Sequence, residues 1–138
     1  MTARSTFIDT NVLVYTVDAG EPAKRERAAA VLDQLAGSFM LSTQVLGELY
    51  VTLTRKLARP VTAAQTVERV AGLSQHRVLS LDAAMVRAAI ETSQRSQISY
   101  WDALIVEAAV RGGCSQILSE DLNAGQVIRG VEIVNPFG

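Results

Sequence analysis

The stretch Thr6-Phe7-Ile8-Asp9-Thr10-Asn11-Val12-Leu13-Val14-Tyr15 decides the fold class of this chain. Thr6 to Ile8 is a β-prone run, Asp9, Thr10 and Asn11 favour a turn or a helix start, and the apolar segment Val12 to Val17 follows. The reading is strand, acidic turn, short helix. Outward from it the alternation repeats. Pro22 suits the first turn of a helix, Ala23 to Leu35 is Ala-rich, and Gly37 marks the stop. Phe39-Met40-Leu41 is a candidate buried strand, after which Ser42 or Thr43 caps a helix reaching Thr54 with Leu46, Leu49, Tyr50 and Leu53 as its apolar stripe. Pro60 interrupts, Thr62 opens a helix to Leu73, Arg77-Val78-Leu79 is a short strand, and Asp82 caps a helix over Ala83 to Gln94. Ser99 caps a helix from Tyr100 to Val110, Gly112-Gly113 ends it, Gln116-Ile117-Leu118 leads into the turn Ser119-Glu120-Asp121, and Val131 to Val134 is the last strand. Strands alternating with helices imply right-handed βαβ crossovers and a parallel sheet covered on both faces. The expected fold is a single-domain three-layer α/β/α sandwich over residues 1–138, with no repeat or linker to mark a second domain.

Composition narrows the function. The chain has 138 residues, 49% of them hydrophobic and 20% charged, which excludes a disordered or linker-dominated protein. Thirteen Lys and Arg against 14 Asp and Glu leave a formal charge of −1, so a polyanion must be met locally rather than by bulk positive charge. A single cysteine, Cys114, and a single histidine, His76, exclude an intrachain disulfide, a structural zinc cluster and a two-histidine nuclease. Cys114 is expected to be a small buried residue and His76 a surface one. No apolar run approaches a membrane span, and Asp9 and Asn11 interrupt the place where a signal peptide needs apolar residues. The chain is read as cytoplasmic.

In an open α/β sheet, ligands bind beyond the carboxyl ends of the strands, where the following helices begin. Asp9 and Asp121 each follow a predicted strand, Asp102 lies in the first turn of the helix opened by Ser99, and Glu48 is the one charge between Met40 and Thr54. Each has a plain alternative. Asp9 can serve as a helix cap, Asp102 as the acid of a Ser99-x-x-Asp102 capping box, Asp121 as a turn residue and Glu48 as a solvated side chain. Taken together they make a different case, because convergent carboxylates repel by a few kcal/mol and must take up protons or a cation. An all-oxygen donor set suits Mg²⁺ or Mn²⁺, ions that assist phosphodiester hydrolysis. Basic candidates for meeting phosphates are Lys24-Arg25-x-Arg27, Arg55-Lys56-x-x-Arg59 and Arg95. Tyr100-Trp101 beside Asp102 is expected to pack in the core rather than stack on a base.

The motifs carry a resemblance. Phe7 to Tyr15 resembles the opening motif of PIN-domain ribonucleases, specifically VapC toxins of bacterial toxin–antitoxin pairs. Gln44-Val45-Leu46-Gly47-Glu48-Leu49-Tyr50 is similar to the family's glutamate helix, Ile98-Ser99-Tyr100-Trp101-Asp102-Ala103-Leu104-Ile105 to its central aspartate motif, and Leu118-Ser119-Glu120-Asp121-Leu122-Asn123 to its final acidic motif. The ending, Gly130 to Phe137, also resembles the family. The resemblance implies a PIN-like fold, Mg²⁺- or Mn²⁺-dependent RNA cleavage, a homodimer, and inhibition by a cognate antitoxin whose C-terminal segment covers the acidic cleft. It implies Asp9, Glu48, Asp102 and Asp121 as the metal-binding and catalytic quartet, with Thr10 and Asn11 supporting Asp9. Two other readings stand beside it. One is a non-catalytic interaction module on the same fold, and the other a Mg²⁺-dependent phosphotransfer enzyme, which Asp9-Thr10-Asn11 fits poorly because it lacks a second early aspartate.

Overall fold

The computed structural model describes residues 5–138. Strands β1 (Thr6–Ile8), β2 (Phe39–Ser42), β3 (Arg77–Leu79), β4 (Gln116–Leu118), β5 (Val127–Ile128) and β6 (Val131–Val134) form one sheet in the order β3-β2-β1-β4-β6-β5. Every pairing is parallel except that of β5 with β6. Helices α1 (Thr10–Tyr15), α2 (Pro22–Leu35), α3 (Thr43–Val51), α4 (Ala63–Leu73), α5 (Ala83–Ser96) and α6 (Tyr100–Arg111) flank it. The chain is thus a single α/β domain with a largely parallel sheet, as the alternation of strand and helix signals requires. The two central strands are apolar on both faces, and Phe7, Ile8 and Ile117 are fully enclosed. Removing each such side chain from water is worth roughly 1.5–3 kcal/mol.

The helix starts follow their caps. Asp9, Ser42, Thr62, Asp82 and Ser99 each accept a backbone N–H of the helix they open, and Thr62 with Gln65 completes a capping box. Two features depart from the expected pattern. The helix from Thr43 runs as α helix only to Val51 and continues as a π-helical turn over Thr52–Lys56. Tyr50, expected in the buried stripe of that helix, is 42% exposed, while Val45, Leu49 and Leu53 make the core contact instead. β5 was not anticipated. It is a two-residue strand, joined to β6 by Arg129 and Gly130, both with positive φ (54° and 78°), the twist a tight antiparallel hairpin needs. At the end of α6, a side chain on Gly112 would collide with the Met40 sulfur, so glycine lets this helix lie close against β2. Cys114 is buried as expected, and His76 is half-buried with its ring stacked on Phe39. Among the described residues no helix is long and apolar enough to cross a membrane.

Candidate active site

The parallel strands bring three chain reversals to one edge of the sheet. Asp9 follows β1, α3 leaves the end of β2, and Ser119-Glu120-Asp121 follows β4. β1 and β4 are paired through Ile8 and Leu118, which sets Asp9 beside Ser119. The Asp9 N–H continues the ladder to the Leu118 carbonyl at 3.0 Å. α6 brings its first turn to the same place, and the edge opens into a cleft of about 770 Å³. Asp9, Glu48, Asp102 and Asp121 all line it, together with Asp18, Glu120 and a single lysine, Lys56.

Asp9 is the buried member of this group, 8% exposed. Its Oδ1 accepts the Thr10 N–H at 2.8 Å, and its Oδ2 accepts the Ser119 hydroxyl at 2.8 Å and the Asn11 amide at 3.2 Å. All three donors are neutral. Burial pushes the Asp9 carboxyl up to about 6, against the hydrogen bonds from Ser119 and Thr10, and the charges of Glu48 and Asp121 push it further the same way. Asn11 spans the turn: its amide also donates to Asp121 Oδ2 at 3.2 Å, and its Oδ1 accepts the Glu120 N–H at 3.0 Å. The Thr10 hydroxyl donates to Glu48 Oε1 at 3.0 Å, which ties α1 to α3. Asp102 is half-buried, and its N–H is capped by Ser99 Oγ at 3.0 Å. No reciprocal bond from its carboxylate completes a capping box among the described residues, so that side chain is free to face a ligand. Among the described residues no cationic side chain is ion-paired with Asp9, Glu48, Asp102 or Asp121.

Glu120 behaves differently from its neighbour. Its Oε2 lies 2.7 Å from Lys24 Nζ and its Oε1 accepts the Tyr15 hydroxyl at 2.6 Å. Partial burial pushes the Glu120 carboxyl up, but the Lys24 ammonium and the Tyr15 hydroxyl outweigh it and hold the carboxyl below the usual glutamate range. Its charge is already matched, whereas that of Asp121 is not.

Ser119 has no counterpart in the sequence reading, which treated it only as part of a turn. It is fully buried and central: while donating to Asp9 it accepts from the Asn11 amide (3.2 Å) and from the N–H groups of Asp121 (3.2 Å) and Leu122 (3.3 Å). A small hydroxyl residue directly after a buried strand and before two acids was the available signal. The expected core packing of Trp101 is overturned. Tyr100 packs against the core, but Trp101 points outward at 62% exposure and lines the cleft. One residue of helical rotation, about 100°, separates the two fates. Of the basic candidates, Lys56 lines the cleft, Lys24 is held by Glu120, Arg27 donates to the Pro136 carbonyl, and Arg95 pairs with Glu91.

A family model for the PIN domain matches residues 6–129. The chain belongs to the PIN-domain family. Solved structures similar to this PIN domain are toxins of toxin–antitoxin systems. A VapC toxin of Mycobacterium tuberculosis that cleaves the sarcin-ricin loop is 22% identical, with a TM-score of 0.69 over 85% of this chain and 90% of that one. A toxin–antitoxin complex from Klebsiella pneumoniae gives 17% identity and a TM-score of 0.71, covering 96% of this chain and 98% of that one. DNA-bound VapBC from Salmonella typhimurium gives 20% and 0.65, covering 95% and 97%. At these identities the likeness establishes the fold. No curated protein matches the chain.

The donor chemistry of the cleft suits a hard divalent cation: carboxylate oxygens, no histidine or thiol, and a buried aspartate whose hydrogen-bond donors are all neutral. Among the described residues no three side chains converge closely enough to grip one ion. The four acids border a shared space rather than a closed cage.

Proposed function

We propose that this PIN domain is a divalent-cation-dependent endoribonuclease and the toxin of a toxin–antitoxin pair. The observation that carries the reading is Asp9, a buried carboxylate with no cationic partner among the described residues, lining a cleft with Glu48, Asp102 and Asp121. Membership of a family that is typically one of nucleases supports it. Asp9 and Asp102 would hold Mg²⁺ or Mn²⁺, with Glu48 and Asp121 completing the donor set, some through water. Such an ion, when bound, offsets phosphate charge and acidifies water for attack. The chain's own part is orientation. Ser119 and the Thr10 N–H fix both oxygens of Asp9, the Thr10 hydroxyl fixes Glu48, and Asn11 keeps Asp9 and Asp121 in register. In the reaction, water adds to phosphorus and the bond to the 3′ oxygen breaks, leaving a 5′-phosphate and a 3′-hydroxyl.

A protein antitoxin as the regulatory partner is supported by the Klebsiella complex and the Salmonella VapBC assembly, both of which hold such pairs. A homodimer and a cytoplasmic setting complete the proposal, the first checked by sedimentation of the purified chain. The deciding experiment is cleavage of a mixed cellular RNA pool by antitoxin-free protein in Mg²⁺, Mn²⁺ or chelator, beside a folded Asp102→Asn control. Metal-dependent fragments that the substitution abolishes are the expected result. Cleavage that survives chelator and substitution would refute the site, and absence of any cleavage would favour an interaction module.

A further inference from the structure

Trp101 is the largest apolar group that this cleft leaves in solvent, and it is next in sequence to Asp102. An indole 62% exposed forgoes burial that its neighbour Tyr100 obtains, and it does so where it lines the cleft beside Asp102. One contact reaches its ring and another its backbone. Tyr100 meets it edge to face with ring centroids 4.9 Å apart, and the Gln44 amide from α3 donates to its carbonyl at 3.3 Å. Gln44 also lines the cleft, and its Oε1 is shielded from water with no hydrogen-bond donor. About one turn further along α3, Gly47 leaves open space where any side chain would project. The cleft is therefore lined both by carboxylates and by a flat, solvent-exposed aromatic next in sequence to one of them.

Charge selects the occupant. Phosphates are repelled by the surrounding carboxylates unless a cation intervenes, whereas a nucleobase is uncharged, offers a π-face to an indole and carries N–H donors on its edge. We infer that Trp101 is a base-stacking subsite, holding an unpaired RNA base next to the scissile phosphate. This rests on the nuclease reading above and adds how the substrate is gripped without a basic surface. It also limits the substrate to RNA whose base is unstacked at that position.

Trp101 is the sole tryptophan, so its fluorescence reports on itself. Dye-labelled eight-nucleotide oligo(A) and oligo(U), and a sugar-phosphate oligomer without bases, are titrated into the full chain with Mg²⁺ and with chelator. Dye anisotropy gives binding and indole emission gives stacking. The base-bearing oligomers should quench Trp101 as they bind and the abasic one should not. Trp101→Ala should weaken base-bearing oligomers by roughly 5- to 150-fold, the range of base–aromatic stacking, and raise KM more than it lowers kcat, while Trp101→Phe restores most of the binding. Binding without quenching, or unchanged binding by Trp101→Ala, would overturn the subsite while metal-dependent cleavage kept the nuclease reading intact. If Trp101→Ala instead dissolves a dimer or abolishes antitoxin binding with RNA affinity unchanged, the indole seats protein and the inference fails. If no oligomer binds and no RNA is cut, both readings fall together.

Discussion

Among the described residues two carboxylates are buried, and they are handled in opposite ways. Glu107 on α6 is 4% exposed and is met by a fork of two bonds from Arg129 (3.1 and 3.0 Å) and by the Thr92 hydroxyl (3.0 Å). Asp9 is 8% exposed and meets only neutral donors. Burying an unpaired ion costs several kcal/mol, so each carboxylate must take up a proton or be met by a cation. The far side of the protein supplies its own, from a turn residue whose left-handed backbone (φ 54°) is itself mildly unfavourable for arginine. Among the described residues the cleft pairs none with Asp9, although Lys56 lines it. Burial alone therefore does not set Asp9 apart from Glu107; the lack of a paired counter-charge does.

Substitutions should separate the two sites. Asp102→Asn should reduce metal-dependent cleavage by at least about 100-fold, since losing a ligand to such an ion removes several kcal/mol of transition-state stabilisation, with unfolding midpoints unchanged in denaturant titrations. Arg129→Met strands the Glu107 charge. Breaking a fully buried pair costs roughly 3–5 kcal/mol, and because Arg129 is half exposed a loss of about 2–3 kcal/mol is expected by urea unfolding, with cleavage retained. Asp9→Asn should do the reverse and stabilise the metal-free protein at pH 8 by about 1–2 kcal/mol, within a ceiling of about 3 kcal/mol for a carboxyl raised to about 6. Because the folded pKa lies above the unfolded one, the penalty that Asp9 imposes is complete above pH 6 and fades as pH falls toward 4. Thermal unfolding across that range should show the gain shrinking. Thr92→Val should cost about 1 kcal/mol, the loss of one hydroxyl from a carboxylate that keeps its arginine.

Much of this was legible in the chain. Caps at Asp9, Thr62, Asp82 and Ser99 announced helices, because short polar side chains ahead of apolar runs have few other uses. Strand signals alternating with helix signals announced a largely parallel sheet covered on both faces. β5 escaped, since two residues carry no period, and its turn depends on Arg129 accepting a conformation usually left to glycine or asparagine. The π-helical turn escaped because the spacing of Leu49 and Leu53 suits an uninterrupted helix equally well. At the site, the four acids could be named, Asp9 and Asp121 from strand ends, Asp102 from a helix start and Glu48 as the one charge in an apolar helix, with the family resemblance singling them out as a set. What joins them could not: Ser119 bonds across 110 residues to Asp9, and Lys24 silences Glu120 from another helix. Trp101 was misjudged because helical phase near a first turn does not say which of two adjacent aromatics meets the core.

The most direct test is the binding of Mn²⁺ itself, read by electron paramagnetic resonance on metal-free wild-type protein, Asp9→Asn and Thr92→Val at pH 8. Wild type and Thr92→Val should bind the ion alike and Asp9→Asn at least about 100-fold more weakly, several kcal/mol of ligand attraction being lost. Equal binding by wild type and Asp9→Asn, or none by wild type, would contradict the claim that the unmatched carboxylate is a cation site.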